Sequence, residues 1–274
     1  MVRRNALPPE RGNLLFENLF VRRSGHDTLE AISRGLIAVL RNASRLIQDV
    51  ELLIEHKRYA IAGFLLATAD EEMAKSYILI DACRLDFGKR RDELRRLCKA
   101  FYNHITKHAY NEVIRSPNLR DMLQVKGVWD AEIIRWWPSP GLESGEPDMP
   151  HDSYFSREMP LYVDFIDYDQ EWFTPESDTR RFIFQDNVGY NALSESRNAL
   201  DRLRMTFEAG FFRVDCLLIL NEVFRMHYIT EATDANEINR HWENTEQQMK
   251  NTLGIERGIF RASALKEWPL YHFL

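Results

Sequence analysis

One run of the chain, from Tyr59 to Ala69, is apolar around the whole circumference of a helix, and it constrains the fold most strongly. It reads YAIAGFLLATA and lies in the first half of a helix that we predict over residues 58–87, ended by Gly88. A helix without a polar face must be packed by other elements on most of its sides. The sequence therefore predicts that this helix lies at the centre of a bundle.

The rest of the sequence predicts amphipathic helices around the central one. Apolar residues recur at steps of three and four along several further stretches, as they do on one face of a helix. We predict these helices at 27–56 with Asp27 as N-cap, 90–115, 119–137, 188–224 with a bend at Gly210, and 234–253. Helix breakers are scarce, with only 12 glycines and 10 prolines in 274 residues. The predicted fold class is all-α, an antiparallel helical bundle.

The composition changes along the chain and divides it into segments. Residues 1–26 are expected to form an extended N-terminal arm with one short helical piece near 14–20. Residues 27–137 carry the N-terminal helices, and 138–185 form a proline-rich, acidic linker with a small β-hairpin insertion of LYVDFI and EWFT. Residues 186–274 contain the C-terminal helices and an aromatic tail, WPLYHFL, and residues 27–256 are expected to form a single composite domain.

The cysteines, the N-terminus and the apolar runs limit the compartment and the cofactors. Cys83, Cys98 and Cys216 form no C-x-x-C pair, so we expect neither a disulfide scaffold nor a cysteine zinc site. The N-terminal MVRRNALPPERG has no apolar region after its arginines, and no apolar run approaches the roughly 18 residues that span a bilayer. We predict a cytoplasmic protein outside the membrane, with no cofactor.

Several polar residues stand where the helical stripes predict apolar ones. Asn42 and Asp49 are expected beside the buried seam of the first helix. In the central helix, Lys75 follows Glu71 by four residues and Glu72 by three, so it can reach either carboxylate. The same spacing is common on helix surfaces, where a solvated ion pair contributes about 0–1 kcal/mol.

The third predicted helix carries two histidines on one face. Phe101, His104, Lys107 and His108 follow one another at steps of three, three and one. Two histidines four residues apart can bind a metal ion, but the sequence places no third ligand beside them. We therefore predict no metal site.

Taken together, these spacings resemble the AbiV-type abortive infection proteins, which belong to the HEPN-like helical domains of prokaryotic toxin and antiphage systems. The resemblance covers about residues 35–220, and it rests on Asn42, Ala43, Leu46 and Asp49, on Arg58, Tyr59, Ala60 and Ala62, on Ala67, Ala69, Glu71, Glu72 and Lys75, on Phe101, His104 and Lys107, and on LYVD at 161–164. It implies a HEPN-like bundle, a role in antiphage defence by abortive infection, and a homodimer with a cleft between the protomers.

The chain departs from the resemblance at the residues expected to catalyse RNA cleavage. HEPN ribonucleases use an arginine and a histidine separated by about four to six residues on one helix, with the histidine as acid or base. No arginine precedes His104 or His108 at that spacing, and the nearest substitute is Lys99 with His104. Lysine supplies charge but not the planar two-pronged donor set of arginine.

Two hypotheses about mechanism remain open. The first is a toxin-like, metal-independent ribonuclease that blocks growth or translation, with His104 as acid or base and Lys99 or Lys107 stabilising the phosphate charge. The residues assigned to its catalytic site are His104, Lys107, Lys99, Glu72 and Lys75, supported by a polar network of Asn42, Asp49, Glu71, Asn103 and His108.

The second hypothesis is a protein-interaction module without catalysis. The same polar cluster then fixes the register of the helices as a buried network, and the chain binds a phage or host protein. The expected partners are a second copy of the chain, RNA, and a phage-encoded trigger protein. A cluster open to solvent favours the first hypothesis, and a cluster sealed in the core favours the second.

The net charge of −6 conceals two opposed segments. Residues 84–120 hold ten Lys and Arg against four acidic residues, whereas 141–178 hold eleven acidic residues and one Arg. A basic helix that carries His104 suits a phosphate backbone. It suits equally well the acidic segment of the same chain or of a partner protomer.

Overall fold

Helices make up nearly all of the secondary structure in the computed structural model, which describes residues 10–116, 122–133, 164–166, 171–173, 188–225, 235–254, 271 and 273–274. The helices are α1 (Glu10–Phe16), extended by a π-helical turn (Glu17–Val21), α2 (Gly25–Glu55), α3 (Tyr59–Cys83), α4 (Arg91–Ala100), α5 (His104–Arg115), α6 (Met122–Ile133), α7 (Val188–Glu208), α8 (Val214–Phe224) and α9 (Ala235–Leu253). The all-α fold class is confirmed.

Helix α3 is the central element, as its sequence predicts. It packs against α2, α4, α5, α7 and α8. Burial is greatest in its second half, where residues 76–83 are all buried. The first half, which is the more apolar, is only partly covered within the described residues, and Ile61 is 39% exposed. The helix ends at Cys83 and not at the predicted residue 87.

Helix α2 lies along α3 and buries a continuous apolar stripe. Its N-cap is Ser24 and not the predicted Asp27: the Ser24 hydroxyl accepts a hydrogen bond from the Asp27 amide and donates one of 2.7 Å to the Asp27 carboxylate. This reciprocal pair satisfies an amide that the first helical turn leaves open. Leu29, Ile32 and Leu36 begin the buried stripe.

The predicted third helix is two helices. Helix α4 ends at Ala100 and α5 begins at His104, because Asn103 adopts an extended backbone and its side chain accepts a 2.9 Å hydrogen bond from the Thr106 amide. Asparagine side chains favour this capping geometry over the interior of a helix. The prediction of one helix over 90–115 is therefore wrong, and Phe101 lies in the turn before α5.

The predicted helix at 188–224 is also divided. It stops at Glu208, and α8 begins at Val214 after Gly210, whose φ of 83° lies in the left-handed region that glycine tolerates. The chain thus breaks where a bend was predicted. The last helix agrees with its prediction and is followed by Gly254.

The N-terminal segment is packed against the bundle. The helical piece predicted near 14–20 is present and extends over residues 10–21, and α1 lies on α4 with Phe16 and Phe20 buried. The approach is close, since a Cβ at Gly12 would lie 3.0 Å from the Cα of Lys99. Burial of these aromatic rings explains why the segment is not an extended arm. Residues 1–9 lie outside the described part.

The predicted linker is described only at two short strands. β1 (Asp164–Ile166) and β2 (Glu171–Phe173) pair antiparallel, with Phe165 opposite Trp172. They fall in the segment where a β-hairpin insertion was predicted, and the remainder of 138–185 lies outside the described residues. The predicted helix at 119–137 is described over Met122–Ile133. None of the described helices is long and apolar enough to cross a membrane.

Candidate functional site

The interface between α3 and α5 holds a cluster of three ionisable side chains. Nδ1 of His104 lies 2.8 Å from both carboxylate oxygens of Glu71, and Nζ of Lys107 donates a 2.7 Å hydrogen bond to the same carboxylate. His104 and Lys107 are three residues apart, so they share one face of α5. We call Glu71, His104 and Lys107 the Glu71 cluster.

The Glu71 cluster lies at the edge of the core, where burial differs from one member to the next. The His104 side chain is 24% exposed, that of Glu71 15% and that of Lys107 5%. Solvent therefore reaches the histidine, while the lysine is almost enclosed. The cluster is neither an open cleft nor sealed in the core.

The cluster holds Glu71 ionised. Burial acts to raise the pKa of Glu71, but the hydrogen bond from His104 and the charge of Lys107 outweigh burial and lower this pKa to about 2. Burial lowers the pKa of Lys107, and Glu71 opposes that change. Glu71 is thus held ionised by the two side chains that bond it.

Glu72 and Lys75 form a separate pair on the next face of α3. The Lys75 ammonium bonds the Glu72 carboxylate, and it lies 5.2 Å from the centre of the Phe101 ring. Of the two partners that the spacing allowed for Lys75, the structure selects Glu72. The turn between α4 and α5 is thereby attached to the central helix through a cation–π contact.

His108 extends the polar contacts of α5 to another helix. Its Nε2 lies 3.1 Å from a carboxylate oxygen of Glu132 on α6. The two histidines of α5 therefore contact carboxylates of different helices, His104 toward α3 and His108 toward α6. Within the described residues, no group of three His, Cys, Asp or Glu side chains is placed to hold a metal ion.

The other predicted site residues lie apart from the Glu71 cluster. Lys99 is exposed and lies on α4, whereas His104 is the first residue of α5. The two residues therefore do not lie on one helix, as the predicted Lys–His pair required. Asp49 is exposed and not beside the buried seam, because it points away from the face of α2 that packs in the core. Asn42 accepts a hydrogen bond from its neighbour Arg45.

Sequence reasoning missed a second group of contacts between α3 and α5. Asp70 pairs with Arg115, accepts a 2.7 Å hydrogen bond from Ser196 of α7, and receives a bond from Asn111 at its backbone carbonyl. Residues 104, 107, 111 and 115 form one stripe along α5, so helical periodicity could have indicated it. Together with Glu71, the stripe aligns α5 along α3.

A buried ionic group near the C-terminal end of α3 was also not predicted from the sequence. Asp81 pairs with Arg84 and accepts a 2.9 Å hydrogen bond from the hydroxyl of Tyr110, and all three side chains are buried. The Arg84 guanidinium also lies 5.1 Å from the centre of the Trp242 ring of α9. The group connects three helices in the core.

Asn103 supports the site by starting α5 at His104. Replacing Asn103 with alanine is expected to lower the free energy of unfolding by about 1 kcal/mol, because an amide of the first turn loses its acceptor. Asn103→Asp keeps the acceptor and is expected to retain most of the stability. Urea denaturation of the three proteins measures the difference, and equal loss in both variants contradicts the capping role.

The lowered pKa of Glu71 predicts how stability depends on pH. Because the folded-state pKa of about 2 lies below the ordinary value of 4.5, the ionised carboxylate stabilises the fold above pH 4.5. This contribution, on the order of 3 kcal/mol, is lost as the pH falls toward 2. Glu71→Gln lacks it, so the stability difference between wild type and variant should shrink by about 2 kcal/mol from pH 5 to pH 3. A difference that stays constant over this range, measured by urea denaturation, contradicts the ionised cluster.

The fold and the cluster together define the class of protein: an all-α helical domain with a carboxylate–histidine–lysine cluster between two of its helices. The chain belongs to the AbiV family of HEPN domains, whose family model matches residues 31–193. The family links the chain with abortive infection, a form of antiphage defence. Comparisons with curated proteins and with solved structures gave no significant match.

Proposed function

We propose that the chain acts in abortive infection as a toxin-like protein that cleaves RNA without a metal ion. The observation that carries the proposal is the His104 ring, which is bonded to the ionised Glu71 and remains partly exposed to solvent. A carboxylate that engages one ring nitrogen of a histidine holds the ring in one orientation, as general acid–base catalysis requires.

In the proposed reaction, His104 moves protons while the RNA supplies the nucleophile. With Nδ1 bonded to Glu71, Nε2 is the atom that exchanges a proton with RNA. The 2′-oxygen of a ribose attacks the neighbouring phosphorus and the bond from phosphorus to the 5′-oxygen breaks. The 2′-hydroxyl loses a proton and the leaving 5′-oxygen gains one. The products are a 2′,3′-cyclic phosphate and a 5′-hydroxyl.

The proposal changes the roles of Lys107 and Lys75. Lys107 bonds Glu71 and is nearly enclosed, so its role is to keep the carboxylate ionised and not to contact phosphate. Lys75 is paired with Glu72 in the same way. Lys99 is exposed, but it lies on α4 apart from the Glu71 cluster, so its contact with phosphate stays a prediction.

The non-catalytic alternative is favoured by one specific observation. Glu71 and Lys107 bond each other at low exposure, as expected of a network that fixes the register of α5 on α3. In that case the cluster determines the fold and the chain acts by binding a phage or host protein. Homodimerisation and a cytoplasmic location stay predictions in both cases.

Cleavage of total RNA in the presence of EDTA tests the proposal. Wild type and His56→Ala are expected to degrade RNA and His104→Ala is not, since His56 is an exposed histidine at the end of α2, away from the cluster. Growth arrest on expression should follow the same order. Growth arrest by wild type and His104→Ala alike, with RNA intact, overturns the proposal and supports the binding module.

A further inference from the structure

The aromatic end of the chain is docked on α4 and α6. The ring of Phe273 lies 5.9 Å, centre to centre, from the ring of Trp129, and Arg96 of α4 donates a 3.1 Å hydrogen bond to the backbone oxygen of Leu274. Tyr271 is 2% exposed. These residues are 142 or more positions from Trp129 in sequence, so the contact is a tertiary one. We call residues 271, 273 and 274 the tail contact.

The tail contact and α5 both meet α6 at Trp129. The centre of the Trp129 ring lies 5.9 Å from that of Phe273 and 5.4 Å from that of Tyr110 on α5. One helical turn further along α6, Glu132 bonds His108. A helix of 12 residues has little stability of its own and depends on such tertiary contacts. Phe273 therefore supports the helix that presents Glu132.

The tail also approaches the buried ionic group. Burial raises the pKa of Tyr110 well above its usual value, and Asp81 and the nearby phenol of Tyr271 raise it further. Tyr271 thus lies within electrostatic range of Tyr110, the side chain that contacts both Asp81 and Trp129. The tail thus contacts two helices that neighbour α5, α4 through Arg96 and α6 through Trp129.

We propose that Phe273 and Leu274 are positioning residues of the site, which hold α6 and α4 so that the His108–Glu132 contact and the placement of α5 are maintained. Trp129 and Glu132 share a face of α6, and His108 and His104 are one turn apart on α5. Loss of the ring at 273 removes a ring contact of Trp129, and Glu132 then moves relative to His108. The expected effect on RNA cleavage rests on the proposed function. The geometric part, which is the expected movement of α6 and Glu132 relative to His108, does not.

Hydrogen exchange and NMR on the full chain test the geometric part. Phe273→Ala is expected to raise amide exchange rates in α6 by about tenfold and to shift the ring signals of His108, while Phe273→Tyr keeps both as in wild type. Phe87→Ala is the matched control, because Phe87 is also a half-buried ring that packs on one aromatic neighbour, Phe20. Arg96→Gln should give a smaller change of the same kind.

Activity measurements separate the two claims. If wild type cleaves RNA, Phe273→Ala should lower kcat and leave KM unchanged. Phe87→Ala should leave kcat unchanged when the two variants have equal thermal stability. Unchanged α6 exchange and unchanged His108 signals in Phe273→Ala overturn the positioning role. If those signals change as expected and wild type leaves RNA intact, the positioning role stands and the proposed function fails.

Discussion

Replacing His104 with alanine is expected to slow RNA cleavage by about 10²–10⁴-fold, the range that a positioned general acid or base contributes. The expectation follows from the geometry of the Glu71 cluster. His104 is its most exposed member, and Glu71 is bonded to the ring nitrogen Nδ1. Single-turnover cleavage of a labelled RNA, with enzyme in excess and EDTA present, measures the loss.

The effect on chemistry must be distinguished from an effect on folding. The variant also removes a hydrogen bond to Glu71, so we expect lower stability as well, and rates should be compared at a temperature where both proteins are folded. His104→Gln serves as a second variant, since it can still donate to Glu71 but cannot exchange a proton. A rate for His104→Gln within a few-fold of wild type contradicts the acid–base role.

Replacing Asp81 with alanine is expected to lower the free energy of unfolding by about 3–5 kcal/mol. Arg84 is 2% exposed and would keep its charge in the core after losing the carboxylate that pairs with it. Tyr110 would lose its hydrogen bond in the same substitution. Urea denaturation monitored by circular dichroism measures the change.

Tyr110→Phe is the matched control for the Asp81 prediction. It removes the hydroxyl that bonds Asp81 and keeps the ring that packs on Trp129, so a loss of about 1 kcal/mol is expected. A loss for Asp81→Ala no larger than that for Tyr110→Phe contradicts the account of the ion pair. The comparison isolates the cost of leaving a charge buried.

The sequence predicts well those elements whose signal is local. The apolar run after Tyr59 identifies the central helix, and the three-residue step from His104 to Lys107 places both side chains on one face. The break at Asn103 was missed because apolar residues continue the helical period through it. The hydrogen bond from the Thr106 amide to the Asn103 side chain is what starts a new helix there. A single asparagine changes the apolar pattern of the sequence too little to predict the break.

Contacts between distant parts of the chain could not be predicted from spacing. Asp81 lies in the apolar sequence SYILIDAC, which predicts a buried charge. The neighbouring residues do not indicate that its partner is Tyr110. The same is true of the contact of Phe273 with Trp129. Such pairs depend on how the helices are arranged, and the arrangement follows from the whole core.

The chemical form of the RNA ends tests the central claim most directly. Wild type incubated with RNA and EDTA is expected to give fragments with 2′,3′-cyclic phosphate and 5′-hydroxyl ends, and His104→Gln is expected to give none above background. RNA that remains intact with folded wild type, from resting and from phage-infected cells alike, would contradict the claim that the Glu71 cluster is a catalytic site.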